Sequence, residues 1–186
     1  MGRATRVLLA VLFALLAGFA TGALAQQPDD RTTVDTLQPG RFTWMDAAYD
    51  GPVTVVVSVP EQVAYVYRGD VLIGASSVST GKPGHETPIG AFTILQKELD
   101  HHSNLYDDAE MPFMQRLTWD GVALHAGRVM NRPASHGCVR LPLGFARRLY
   151  AVTSLGATVV ITDQPVNGLD ETLQQASLTE QGDALH

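Results

Sequence analysis

The sequence predicts a mostly β fold, a sandwich-like arrangement with one helix packed on it. Three observations carry that expectation. From Val53 onward, short β-branched and aromatic runs recur between turns rich in Gly, Pro and Asp. Leu143, Ala146, Leu149, Tyr150 and Thr153 mark a single stretch of helical spacing, about 143–153. The foldable length suits one domain.

Residues 1–25 read as a signal peptide. Arg3 and Arg6 precede an apolar run from Val7 to Ala20, and Ala23-Leu24-Ala25 supplies a small-x-small cleavage pattern. The run is short for a spanning helix, which needs about 20 residues. The expectation is an exported protein with no stable membrane anchor after cleavage. Losing Arg3 and Arg6 takes the formal charge from −6 to −8, which argues against nucleic acid as a partner.

Residues 26–50 are polar, with Pro28, Pro39 and Gly40, and read as a linker or N-terminal arm. The folded domain is expected over 51–163. Val53 to Val59 is a buried strand. Gln62–Tyr67 and Val71–Val78 form a hairpin around Arg68-Gly69-Asp70. Thr80 to Gly90 is too rich in Gly and Pro for regular structure and becomes a shaped loop. Ala91–Lys97 is one strand, and His101–Glu110 an acidic loop. Asp120-Gly121 between two apolar runs signals a hairpin that leaves His125 at a strand end. After the helix, Thr158–Thr162 is the last strand. Residues 164–186 read as a flexible tail. The count is about seven strands and one helix.

The chemistry centres on Cys138, the one cysteine, within Ser135-His136-Gly137-Cys138-Val139-Arg140. An exported chain usually pairs its cysteines or lacks them, so a lone thiol beside His, Gly and Arg points to a nucleophile. From Val122 to Thr162 there is no Asp or Glu, whereas Arg128, Arg132, Arg140, Arg147 and Arg148 all occur. The expectation is a positive field that favours thiolate and attracts a carboxylate substrate; the plainer reading is a cluster of solvated arginines.

Two histidines can serve as acid/base. His136, two residues from the sulfur, orients more readily than it shuttles protons. His125 arrives from another strand, as a general base must, so it is the proton donor and acceptor and His136 the supporting group. Gly137 permits a tight turn, and its amide and that of Cys138 can form an oxyanion hole. Arg140 either holds a substrate carboxylate or braces the loop. The bland alternatives are an inert buried thiol and a core histidine. A zinc site lacks CxxC or HExxH spacing and nearby acids, so neither metal nor cofactor is expected.

Ser135 to Arg140, with upstream His125 and Gly127, resembles the L,D-transpeptidase catalytic domain family. The stretch Ser79 to Gly90 resembles that family's entrance loop, and Met111-Pro112-Phe113 the segment ahead of its histidine strand. The similarity covers roughly Val53 to Asp163. It implies an L,D-transpeptidase-like β-sandwich acting on peptidoglycan stem peptides, with Ser135, Met111 and Arg140 at the substrate and carbapenem-type inhibitors acylating the cysteine. It also implies that the histidine is held by a backbone carbonyl, of Ala126 or Gly127, in place of a carboxylate. The implied reaction attaches a tetrapeptide to Cys138 with loss of D-alanine, then passes it to an amine. Hydrolysis through the same thioester and a noncatalytic wall-binding module are the alternatives.

Overall fold

The computed structural model describes residues 37–183, apart from 47, 104–107 and 131. The leader at 1–25 therefore lies outside the described residues. Among the described residues no helix is long and apolar enough to cross a membrane.

The strands are β1 (Phe42–Trp44), β2 (Val53–Ser58), β3 (Val63–Arg68), β4 (Val71–Ser77), β5 (Gly90–Thr93), β6 (Gln96–His102), β7 (Glu110–Arg116), β8 (Ala123–Ala126), β9 (Val139–Leu141) and β10 (Thr158–Thr162). Helix α1 spans Leu143–Val152 and α2 spans Leu169–Asp183. One sheet has six strands in the order β1-β4-β3-β2-β10-β5; the other has four, β6-β7-β8-β9.

The unbroken valines of β2 make sense because both its faces are covered. Val53, Val55 and Val57 enter the main core with Val66, Ile161, Leu124, Val139 and the α1 residues Phe145 and Leu149. Val56 faces the other way, into a second cluster with Tyr65, Val160 and Leu169 of α2. The main core thus joins the two sheets and α1, and it is this layer that supports β8, which holds His125, and β9, which follows Cys138.

The mostly β architecture and the 143–153 helix are as expected; four departures stand out. Part of the arm is strand β1, whose Trp44 lies opposite Gly74. A Cβ on Gly74 would come within 2.5 Å of the Trp44 ring, so the glycine lets the indole lie flat and reach Phe145, 5.5 Å away between centroids. The supposed flexible tail carries α2, anchored by buried Leu169 and Thr172 and half-buried Leu173 and Ala176. The single strand expected over Ala91–Lys97 is two, in different sheets. The crossing is pinned at Ile94, whose N–H donates to Ala157 O at 3.0 Å, and Leu95, whose N–H donates to Arg116 O at 2.8 Å. Finally, the acidic stretch at 101–110 begins and ends inside paired strands, with His101 opposite Met111 and His102 opposite Glu110.

Candidate active site

Strands β8 and β9 run parallel, with Leu124 level with Val139 and His125 level with Arg140. Side chains alternate across a strand. Leu124, Ala126, Val139 and Leu141 therefore point into the main core. Ala123 and His125, with Arg140, take the opposite face, where Cys138 packs with Met111, Met114 and Ala123. This face is the floor of a cleft of about 260 Å³ lined by His125, Cys138, Arg140, Met111, His136 and Arg128, among others. The structure thus brings His125, on β8, and Cys138, in the bend that leads into β9, to one cavity.

His125 is 7% exposed. Its Nδ1 lies 2.8 Å from the Ala126 carbonyl oxygen. A carbonyl can only accept, so Nδ1 carries the proton and Nε2 is left with a lone pair. Of the two carbonyls the resemblance implied, Ala126 is the one used. Burial pushes the His125 pKa from 6.5 down to about 4; the Ala126 bond opposes this, and the charges of Arg140 and His101 add to it. The imidazole is neutral at ordinary pH.

Cys138 donates its thiol proton to Gly121 O at 3.3 Å. Burial pushes its pKa up, outweighing the Ala123 amide and the charges of Arg140 and Arg116, which pull it down. The expected thiolate-favouring field is real but loses to desolvation. The resting pair is thiol and neutral imidazole. The arginine-rich stretch also splits on folding. Arg128 and Arg140 line the cleft, whereas Arg148 pairs with Asp46 at 2.7 Å and Arg147 is exposed on α1.

Around the sulfur, the motif is tied down by its own atoms. Gly137 has φ +115, a region that glycine alone enters readily. Its N–H donates to Ser135 Oγ at 3.1 Å. That amide is spent in the resting fold, so the oxyanion-hole role expected of Gly137 requires the Ser135 contact to break. Ser135 is 1% exposed, and its hydroxyl donates to Cys138 O at 2.5 Å. Its hydroxyl thereby braces the motif, and the residue also lines the cleft. Arg140 runs its stem along Gly127, where a Cβ would meet Arg140 Cγ at 3.3 Å. Among the described residues no carboxylate pairs with its guanidinium. His136 is exposed at the rim, with Lys82 Nζ 3.0 Å from its Nε2 and the His85 ring 4.9 Å away edge-on.

Sequence reading missed how the Thr80–Gly90 loop is fastened to the motif. Thr87 Oγ1 accepts from Gly81 N–H and donates to Gly137 O, both at 2.8 Å. Ser79 exchanges both backbone bonds with Arg140, and its Oγ accepts from Met130 N–H at 2.9 Å. No short-range pattern signals such contacts. They make Gly81 critical, because a Cβ there would fall 1.9 Å from His85 O and 2.7 Å from Thr87 N. Gly81→Ala should therefore cost about 2–3 kcal/mol by denaturant titration and slow acylation of Cys138, since backbone has to move. Unchanged stability and rate would mean that the loop does not hold the motif.

Another missed feature is Phe113, whose φ of +57 is unusual for a bulky residue. Its ring packs on Tyr150 at 5.8 Å, on the core side, while Met111 and Met114 both face the cleft. The turn at Phe113 resets the alternation of β7 and of the β6 residues paired with it.

Comparison with known proteins agrees with this geometry. The L,D-transpeptidase catalytic domain family (YkuD) matches residues 52–161. No curated protein sequence matches the chain. Among solved structures, an L,D-transpeptidase from Stackebrandtia nassauensis is similar at 29% identity and TM-score 0.55, over 64% of this chain and 58% of that one. An L,D-transpeptidase from Mycobacterium smegmatis is similar at 25% identity and TM-score 0.55, over 59% of this chain and 58% of that one. An L,D-transpeptidase in complex with imipenem shares the fold at 23% identity and TM-score 0.54, over 59% of this chain and 58% of the other. The chain thus spans under two thirds of the length of these structures. With a match across more than half its residues, the chain belongs to the L,D-transpeptidase catalytic domain family.

Proposed function

We propose that this protein is an exported peptidoglycan L,D-transpeptidase. The observation that carries the reading is the convergence of His125, on β8, and Cys138, just before the parallel strand β9, on one cleft, with Nδ1 of the imidazole tied to Ala126 O. A neutral imidazole so oriented can take the thiol proton through Nε2 as the sulfur attacks the carbonyl of the third stem residue. The same proton then goes to the departing amine of D-alanine, leaving a thioester on Cys138. An acceptor amine attacks next, the new amide forms, and the thiol is restored through His125. Because the resting thiol is protonated, attack and proton transfer are coupled and no free thiolate is needed. The guanidinium of Arg140, which no carboxylate pairs among the described residues, suits a stem-peptide carboxylate, and Met111 gives the cleft an apolar wall. Carbapenems, which present a strained amide carbonyl, should acylate the same sulfur.

The test is incubation of the purified protein with disaccharide-tetrapeptides. D-alanine and a cross-linked dimer are expected. Tripeptide without dimer at every acceptor concentration would replace transfer by hydrolysis. Absence of both products, and of a carbapenem adduct on Cys138, would leave only a wall-binding module.

A further inference from the structure

A second imidazole lies along the cleft, and acylation does not use it. His101 lines a lobe of about 150 Å³ with Met114, Arg116, Trp119, Gly121 and Ala123. Gly121 and Met111 belong to this lobe and to the main cleft alike, and the thiol rests on the Gly121 carbonyl. The lobe therefore opens beside the sulfur, away from Arg128 and His136.

His101 is held firmly. Its Nδ1 lies 2.6 Å from Glu98 Oε2, with the imidazole 13% and the carboxylate 41% exposed. Glu98 Oε1 accepts from Gln96 Nε2, and Gln96 Oε1 accepts from Arg116 Nε at 2.7 Å. The line Arg116–Gln96–Glu98–His101 fixes the imidazole so that Nε2 is the nitrogen left for a ligand. His101 pairs with Met111 and Glu98 with Met114. His101 reaches the lobe beside Met111 and Met114 because the chain turns over at Phe113. Strand β6 is at the sheet edge, so the main core does not require this network.

Proton balance in the second half-reaction calls for such a group. An amine of ordinary basicity is an ammonium at neutral pH. To become an amide nitrogen it must lose two protons. One returns to sulfur through His125 as the C–S bond breaks and the C–N bond forms. The other has no acceptor among the residues used so far. We propose that the second lobe receives the acceptor amine and that His101, oriented by Glu98, takes this other proton and releases it to solvent along the exposed carboxylate. The inference rests on the transpeptidase reading above. The Glu98 carboxylate offsets the charge of Arg116, which lines the same lobe, whereas the Arg140 side suits a carboxylate.

The experiment compares the full-length wild type with Glu98→Gln and His101→Asn. D-alanine released in the first turnover measures acylation; amide product measures transfer. Two acceptors are used: a stem-peptide amine, and hydroxylamine, which is already uncharged at neutral pH. Both variants should acylate at about the wild-type rate, transfer to the stem-peptide amine roughly 100-fold more slowly, and transfer to hydroxylamine nearly normally. Equal slowing with both acceptors would mean that the pair only shapes the lobe, which overturns the proposal. So would transfer at the wild-type rate, or a parallel loss of acylation. A wild type that releases D-alanine but never transfers would remove the acceptor role while sparing the thioester. A wild type that releases none would sink the parent reading first.

Discussion

Cys138→Ser should leave a folded protein that no longer releases D-alanine from tetrapeptide stems and forms no carbapenem adduct. The expected loss in rate is at least roughly 10⁴-fold, the scale on which removal of a covalent nucleophile acts. A hydroxyl is a far weaker nucleophile than a thiol, and this imidazole is too weak a base to make up the difference. The fold should scarcely notice. Serine is close in size to cysteine, and its hydroxyl can make the bond to Gly121 O that the thiol makes now. Intact-mass measurement after exposure to a carbapenem reads one outcome, and thermal melting the other. An adduct that persists in the serine variant at near-normal rate would place the nucleophile elsewhere and dismantle the mechanism.

His125→Ala should slow acylation by about 10²–10⁴-fold, the usual range for a positioned acid/base. His136→Ala should do less, since His136 sits at the rim with Lys82 and His85. The pH profile gives a sharper mark. With the imidazole pKa pushed from 6.5 to about 4, the acid limb of kcat/KM should fall near pH 4. With the thiol raised above its ordinary value, the alkaline limb should lie above the usual cysteine range. The same shift predicts stability. Between pH 6.5 and 4 the unfolded chain binds a proton at this residue that the folded chain refuses, so unfolding is favoured as pH falls through that window. Stability from this group is complete above the window. It declines by about 3 kcal/mol across the window, with no further loss below it. Denaturant titrations of wild type and His125→Gln at several pH values should diverge there. An acid limb at the ordinary imidazole position, or wild-type activity in His125→Ala, would contradict the assignment.

The parts of the fold that were readable are those set by local pattern. The valines of β2, the Asp120-Gly121 turn and the α1 spacing each declare themselves within a few residues. Cys138 was conspicuous as a lone thiol, and His125 followed from needing a partner on another strand. What escaped depends on distant partners. Phe42 to Trp44 is a strand because the edge of β4 accepts it. The β6 stretch Gln96 to His102 has little β preference and becomes a strand by pairing with β7. Helix α2 is a different kind of miss. Leu169, Thr172, Leu173 and Ala176 carry the helical spacing, but their polar neighbours dilute it, and only the waiting face of Tyr65 and Val160 gives it purpose. The charge of the arginine stretch was legible, whereas the burial that overrides it at Cys138 was not, because depth is a property of the assembled sheets.

The paired backbones of Ser79 and Arg140 have one more effect. Strand β9 ends its four-stranded sheet, and such an end presents free amides and carbonyls on which another copy of the chain can polymerise. Ser79 occupies that position with both of its backbone groups. The residues that follow Cys138 are thereby withheld from the intermolecular stacking that leads to aggregates.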